Sequence, residues 1–290
     1  MLIRKIMFLL LLVIALFLSC SDAVGRRARN NFLVNELSPN HMFYFLLENS
    51  LENIQEITVA SEYFDMVFKL VVTLPPGYNE NESYPVFIMT DGDHRLFNVR
   101  DMHQMMLDKE ITDIILVNIC YANNVSWAMT SQALTPIRYR KFIEYPGRFL
   151  DFITNTVTPL LCDLYNIDNT RSALMGHSWG GQFVHYALFN SDRYINQPFN
   201  YYVIASGIFC TIQEERHLRR NSNILNLDKT IYLSVGGIED PAFMYEMMQF
   251  IGRMNNYNMP ITHEIFERAG HSNYIPGMLR NVLLMWYGFD

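Results

Sequence analysis

An α/β fold built on a mostly parallel sheet of eight strands is what this 290-residue chain predicts. Three observations point there. Short apolar, β-branched runs alternate with longer segments of helical period through most of the chain, the pattern of successive β-α units. Half of all residues are hydrophobic, enough to bury a parallel sheet between two layers of helices. Near the middle, an apolar run ends in Gly176-His177-Ser178-Trp179-Gly180-Gly181 and is followed at once by a helical segment. So tight a turn between a strand and a helix needs residues without a Cβ.

Taken in order, the strands fall near Ile57–Ala60 and Met66–Leu74, an antiparallel pair, then Val86–Thr90, Asp113–Cys120, Arg171–Met175, Asn200–Ala205, Thr230–Val235 and Ile261–Phe266. Helices fit between them at Val99–Leu107, Phe149–Tyr165, Trp179–Asn190 and Ala242–Asn255, with a last one around Met278–Trp286. Phe149, Ile153, Val157, Leu160, Leu161 and Leu164 keep helical spacing and mark a core face. Pro159 within that helix predicts a kink, because proline has no N–H to give to the ladder. Segments 121–146 and 208–228 leave strand C-terminal ends, where open α/β sheets place their ligands, and can wall a pocket. The first holds Tyr121, Trp127, Arg138, Tyr139, Arg140 and Tyr145. The second holds the charged run Glu214–Arg220, read as a solvated helix face.

Strand, G-x-S-x-G, helix is the nucleophile elbow of the α/β-hydrolase fold, which presents Ser178 on a strained turn with its Oγ exposed. A serine hydroxyl is a poor nucleophile at neutral pH. It needs a base, and the base needs an orienting acid. In this fold the acid and then the histidine follow the serine in the chain. The strand Thr230–Val235 ends in Gly236-Gly237-Ile238-Glu239-Asp240-Pro241, a loop with two carboxylates. The strand Ile261–Phe266 ends in Glu267-Arg268-Ala269-Gly270-His271-Ser272. Of eight histidines, His271 alone has the order, the loop and the glycine neighbour that a base requires. His177 suits packing or a backbone hydrogen bond, and His185 and His263 lie inside elements. Asp240 is the favoured acid, with adjacent Glu239 the alternative.

Further motifs in order give the chain a resemblance. Pro85–Gly92 forms a strand ending in Asp-Gly. Ala133-Leu134-Thr135-Pro136 is similar to a D-L-T-P segment. Phe149-Leu150-Asp151-Phe152-Ile153 and Val157-Thr158-Pro159-Leu160 are similar to an F-x-x-F-I…V-x-P helix. From Phe64 to the C-terminus the chain resembles the putative-esterase family of the α/β-hydrolases, which includes feruloyl, acetyl-xylan, siderophore-trilactone and tributyrin-type esterases. Two departures are Ala133 in place of an acidic residue and Ala205-Ser206-Gly207 in place of Ser-Pro-Ser. The resemblance implies ester hydrolysis without a cofactor or metal. It also implies an oxyanion hole made by the backbone N–H groups of Asp93 and Trp179. Each such donor is worth about 3 kcal/mol to an acyl-transfer transition state.

The N-terminus bears on compartment. Arg4-Lys5 precede an unbroken apolar run, Ile6–Leu18, of signal-peptide length and short for a membrane span. Ser19-Cys20 at its end is similar to a bacterial lipobox, with Phe17 where leucine is usual. The expected organisation is a signal of lipoprotein type over 1–19, a tether over 20–40 beginning at a lipidated Cys20, and a catalytic domain over 41–290, with an ordinary secretory signal and a secreted protein, or an uncleaved anchor, as alternatives. A net charge of −7 with no basic stripe argues against nucleic acid as a partner. Cys120, Cys162 and Cys210 fit no metal spacing. The expected partners are a small-molecule or oligosaccharide ester and a membrane, reached through the lipid. The expected function is a serine esterase outside the cytoplasm acting on acylated carbohydrate or similar esters. Siderophore trilactone hydrolysis and acyl transfer are alternatives of the same class, and a tethered binding protein on a hydrolase scaffold is one of another class.

Overall fold

A computed structural model describes residues 53–121, 131–190, 193–194, 199–209, 215, 229–256, 259 and 261–289. The signal segment, Cys20, the tether, Trp127, Cys210 and most of the Glu214–Arg220 run lie outside them. Eight strands form one sheet in the order β1-β2-β4-β3-β5-β6-β7-β8. They are β1 (Ile54–Ala60), β2 (Val67–Thr73), β3 (Val86–Met89), β4 (Ile115–Tyr121), β5 (Ser172–His177), β6 (Phe199–Ala205), β7 (Thr230–Gly236) and β8 (Ile261–Phe266). β1 and β2 pair antiparallel, β2 lies antiparallel to β4, and every other pair is parallel. This is the α/β architecture that the alternating pattern predicts, with each strand shifted by a few residues at most.

The parallel centre is apolar because both its faces are covered. Along β3, Val86 and Ile88 enter one core while Phe87 and Met89 enter the other. Each core has its own helices. α1 (Leu96–Leu107) and α7 (Ile275–Tyr287) cover one face through Leu96, Val99, Met106, Met278 and Val282. The other face carries α3 (Pro146–Phe152), α4 (Thr158–Leu164), α5 (Trp179–Phe189) and α6 (Pro241–Asn255). A further helix, α2 (Ser131–Tyr139), runs through a π turn at Arg140–Glu144 towards α3.

The single helix expected over Phe149–Tyr165 is α3 and α4 joined by a π turn, Ile153–Val157. Pro159 stands in the first turn of α4, where a missing N–H costs least, so the register changes ahead of it. The chain reverses its direction of travel across the sheet between β3 and β5, since β4 lies on one side of β3 and β5 on the other. Their C-terminal ends leave the crevice in which such sheets bind ligands.

The elbow depends on a contact that only glycine permits. A Cβ on Gly176 would lie 2.1 Å from the carbonyl oxygen of Gly180. Nothing lies within 4 Å of a Cβ built on Gly252, inside α6. Gly176→Ala should therefore lower the unfolding free energy by about 3 kcal/mol or abolish soluble expression. Gly252→Ala should raise it by about 0.5–1 kcal/mol. Urea denaturation followed by circular dichroism measures both, and equal effects would contradict the packing described.

Candidate active site

Ser178 occupies the junction of β5 and α5 at φ 59°, ψ −121°, a region that costs a residue with a side chain. Backbone bonds hold it there. Its N–H donates to Ala205 O at 2.9 Å, and its carbonyl accepts the Gln182 N–H at 3.0 Å. The side chain makes no capping bond to α5, so the hydroxyl remains available for other work.

His271 lies in the loop after β8, with its side chain 38% exposed. Its Nδ1 is hydrogen-bonded to Glu239 Oε2. Glu239, its side chain 2% exposed, is gripped from behind. Its Oε1 accepts the Gly236 N–H at 2.7 Å and the Ser206 hydroxyl at 2.7 Å. With the Ser206 proton committed to Glu239, the Tyr274 phenol, 2.6 Å away, donates to Ser206 Oγ. Burial raises the pKa of that phenol, which keeps it a donor. The imidazole is also held from the elbow. His177 Nε2 donates to the His271 carbonyl at 2.5 Å, and the two rings lie 4.6 Å apart. Burial, assisted by Arg95 and His271, pushes His177 down to about 3, so it is a neutral donor at physiological pH. Phe243 of α6 packs on the His271 ring at 4.8 Å.

Asp240 is placed elsewhere, and this corrects the choice between the two carboxylates. Its Oδ1 accepts the Ala242 N–H at 3.0 Å, which makes it the N-cap of α6. An aspartate followed by proline in the first turn is a strong helix-start signal, and it identifies Asp240 as a cap. The longer Glu239 side chain turns inward to the imidazole instead.

Of the two expected backbone donors, Trp179 is the first residue of α5, where a helix leaves its N–H groups unpaired. Asp93 lies in a 3₁₀ turn, Gly92–His94, directly after β3. Its carboxylate accepts the Tyr121 N–H at 2.9 Å, and burial pushes it up to about 6. Asp91, left-handed at φ 51°, anchors a network that sequence reasoning does not reveal. Its Oδ1 accepts the Tyr121 hydroxyl at 2.8 Å, and its Oδ2 accepts Arg138 Nε and Nη2, each at 2.9 Å. Lys141, 1% exposed, donates to the Tyr121 oxygen at 2.7 Å and sits 4.1–4.6 Å from the ring centroids of Tyr121, Phe142 and Phe149. Burial lowers Lys141 to about 8, with Asp91 and Asp93 opposing that shift. Burial would raise Asp91, but Lys141 and Arg138 outweigh it and its carboxyl stays below the usual range.

Ser178 and His271 line one cavity of about 480 Å³, with Asp91, His94, Arg95 and Arg138 among the other walls. No hydrogen bond joins Ser178 to His271 among the described residues. Such bonds often tighten only in the substrate complex. The insertion after β4 does wall the cavity, through Arg138, whose guanidinium lies 5.4 Å from the Trp179 ring. Two of its aromatics pack: Tyr139 meets Trp179 edge-on at 5.9 Å, and Tyr145 packs on the core. Among the described residues no group of three or more His, Cys, Asp or Glu side chains could hold a metal ion.

One family model, described as "Putative esterase", matches residues 61–272. The chain belongs to that family. Its reaction class is carboxylic ester hydrolysis. Among solved structures it is similar to the siderophore hydrolase EstB from Aspergillus nidulans, with TM-score 0.68 and 17% identity over 82% of this chain and 96% of that one. It is also similar to the BES protein from Bacillus cereus, with TM-score 0.66 and 18% identity over 82% and 96%. A ferulic acid esterase matches with TM-score 0.61 and 16% identity over 82% and 99%. The curated proteins contain no match. Identities this low speak for a shared fold.

The two carboxylates separate cleanly by mutation. Glu239→Gln should cut kcat on an activated ester by several decades, on the order of 10⁴. Asp240→Ala should cost about 1 kcal/mol of stability as a lost cap and leave kcat within a few-fold. Steady-state rates beside melting curves test this, and the opposite ranking of rates would overturn the assignment.

Proposed function

We propose that the protein is a serine esterase acting outside the cytoplasm on acylated carbohydrate or similar small esters. Ser178 attacks the carbonyl carbon while His271 Nε2 takes its proton. Glu239 fixes the imidazole by its Nδ1 and offsets the charge the ring gains. The backbone N–H groups of Trp179 and Asp93 receive the oxyanion. His271 returns the proton to the leaving alcohol, and water repeats the sequence to release the acid. The observation that carries this reading is the strained Ser178 on the same cavity as a histidine whose far nitrogen is bound by a buried carboxylate. A binding protein on a hydrolase scaffold would have no use for that strain or for that carboxylate.

The location rests on Arg4-Lys5, the apolar run to Leu18 and Ser19-Cys20. A diacylglycerol on Cys20 together with an amide-linked acyl chain would hold the domain to a membrane, since two or more chains anchor where one does not. There the enzyme would meet esters arriving from outside the cell.

A fluorophosphonate probe should add one label to the protein by intact mass, lost in Ser178→Ala. A folded wild-type protein that refuses the probe would contradict the mechanism. Membrane fractionation of cells expressing the full chain should find it in the membrane fraction, and Cys20→Ala should release it or leave the precursor uncleaved. Wild-type protein in the cytoplasm with Met1 intact would contradict the location.

A further inference from the structure

The cavity beside Ser178 is walled by one cation that no carboxylate pairs directly among the described residues. Asp91 is paired through Arg138, with Lys141 close behind. Glu239 is committed to His271, Gly236 and Ser206. Arg95 remains. It is 8% exposed, lines the cavity, and forms no ion pair with a carboxylate among the described residues. Its Nε is buried without a hydrogen-bond partner. Its charge reaches the reacting region, since it helps hold His177, next to Ser178, in the neutral state. His94, also on the cavity wall, is kept towards its neutral form by burial and cannot supply a counter-charge of the opposite sign. Burial lowers the Arg95 pKa and Asp91 opposes that shift from a distance, but no carboxylate meets the guanidinium directly, so its desolvation is only partly compensated. An anion bound in the cavity would supply the charged hydrogen-bond partner that Arg95 lacks.

We propose that Arg95 forms an anion subsite and that the preferred substrates are esters bearing a carboxylate or similar anion close to the scissile bond. This rests on the esterase reading and narrows its substrate class. The guanidinium would pair with the substrate anion while the ester carbonyl meets Ser178. The subsite then raises kcat/KM for charged esters and orients them.

Three activated esters test it on the wild-type chain: 4-nitrophenyl butyrate, which is neutral; 4-nitrophenyl hydrogen succinate, charged on the acyl side; and 5-butyryloxy-2-nitrobenzoate, charged on the alcohol side. At least one charged ester should exceed the neutral one in kcat/KM by about tenfold, the gain from one charge-assisted hydrogen bond. Which one does so assigns the anion to the acyl or the alcohol side. That ratio should fall to about one in Arg95→Gln and be partly restored in Arg95→Lys. Wild-type protein that cleaves the neutral ester as well as both charged ones overturns the subsite and leaves the esterase reading standing. Wild-type protein that turns over none of the three and refuses the fluorophosphonate overturns both. The wild-type ratio decides the matter even if Arg95→Gln does not fold.

Discussion

The site depends on one buried carboxylate. The Glu239 side chain is 2% exposed, so the lone pairs it brings inside need donors. The protein supplies them from three elements. Gly236 ends β7, Ser206 follows β6, and His271 follows β8. A Cβ on Gly236 would meet the Gly270 carbonyl oxygen at 2.4 Å, so the two loops can approach this closely only through glycine. The parallel sheet thereby serves the chemistry directly. Its strand ends bring residues far apart in the chain within hydrogen-bonding distance, and its packed faces keep them there.

The same principle holds Ser178. Ser178 is kept at positive φ by bonds to β6 and into α5, and its neighbour His177 is tied to the His271 backbone. The elbow and the histidine loop are thus joined by two contacts, the hydrogen bond from His177 to the His271 carbonyl and the packing of the two imidazole rings. On the far side, Arg138 bridges Asp91, at the end of β3, to the ring of Trp179, at the start of α5. Those are the two segments from which the oxyanion donors would come. A single guanidinium on the inserted helix therefore bears on both.

Much of this was legible in the residues alone. The eight strands were readable because buried parallel strands are short, apolar and followed by helices of a different period. That Ser178 and His271 would share one cavity was readable from their loops at strand C-terminal ends. The carboxylate that meets His271 was misread because order along the chain cannot separate Glu239 from Asp240. The helix-start chemistry of Asp240-Pro241 separates them, since a carboxylate spent on capping is not free for an imidazole. Arg95, Tyr121, Arg138 and Lys141 could not be assembled from sequence. They converge from β4, α1 and the insertion, and their neighbours in the chain carry no pattern that announces the meeting. The π turn before Pro159 was foreshadowed only as a kink.

The hydrogen bond from His271 to Glu239 can be observed directly by proton NMR, because an imidazole N–H held to a buried carboxylate gives a far-downfield resonance. Wild-type protein should show that signal, Asp240→Asn should keep it, and Glu239→Gln should lose it. A signal that survives Glu239→Gln and disappears in Asp240→Asn would contradict the account at its centre.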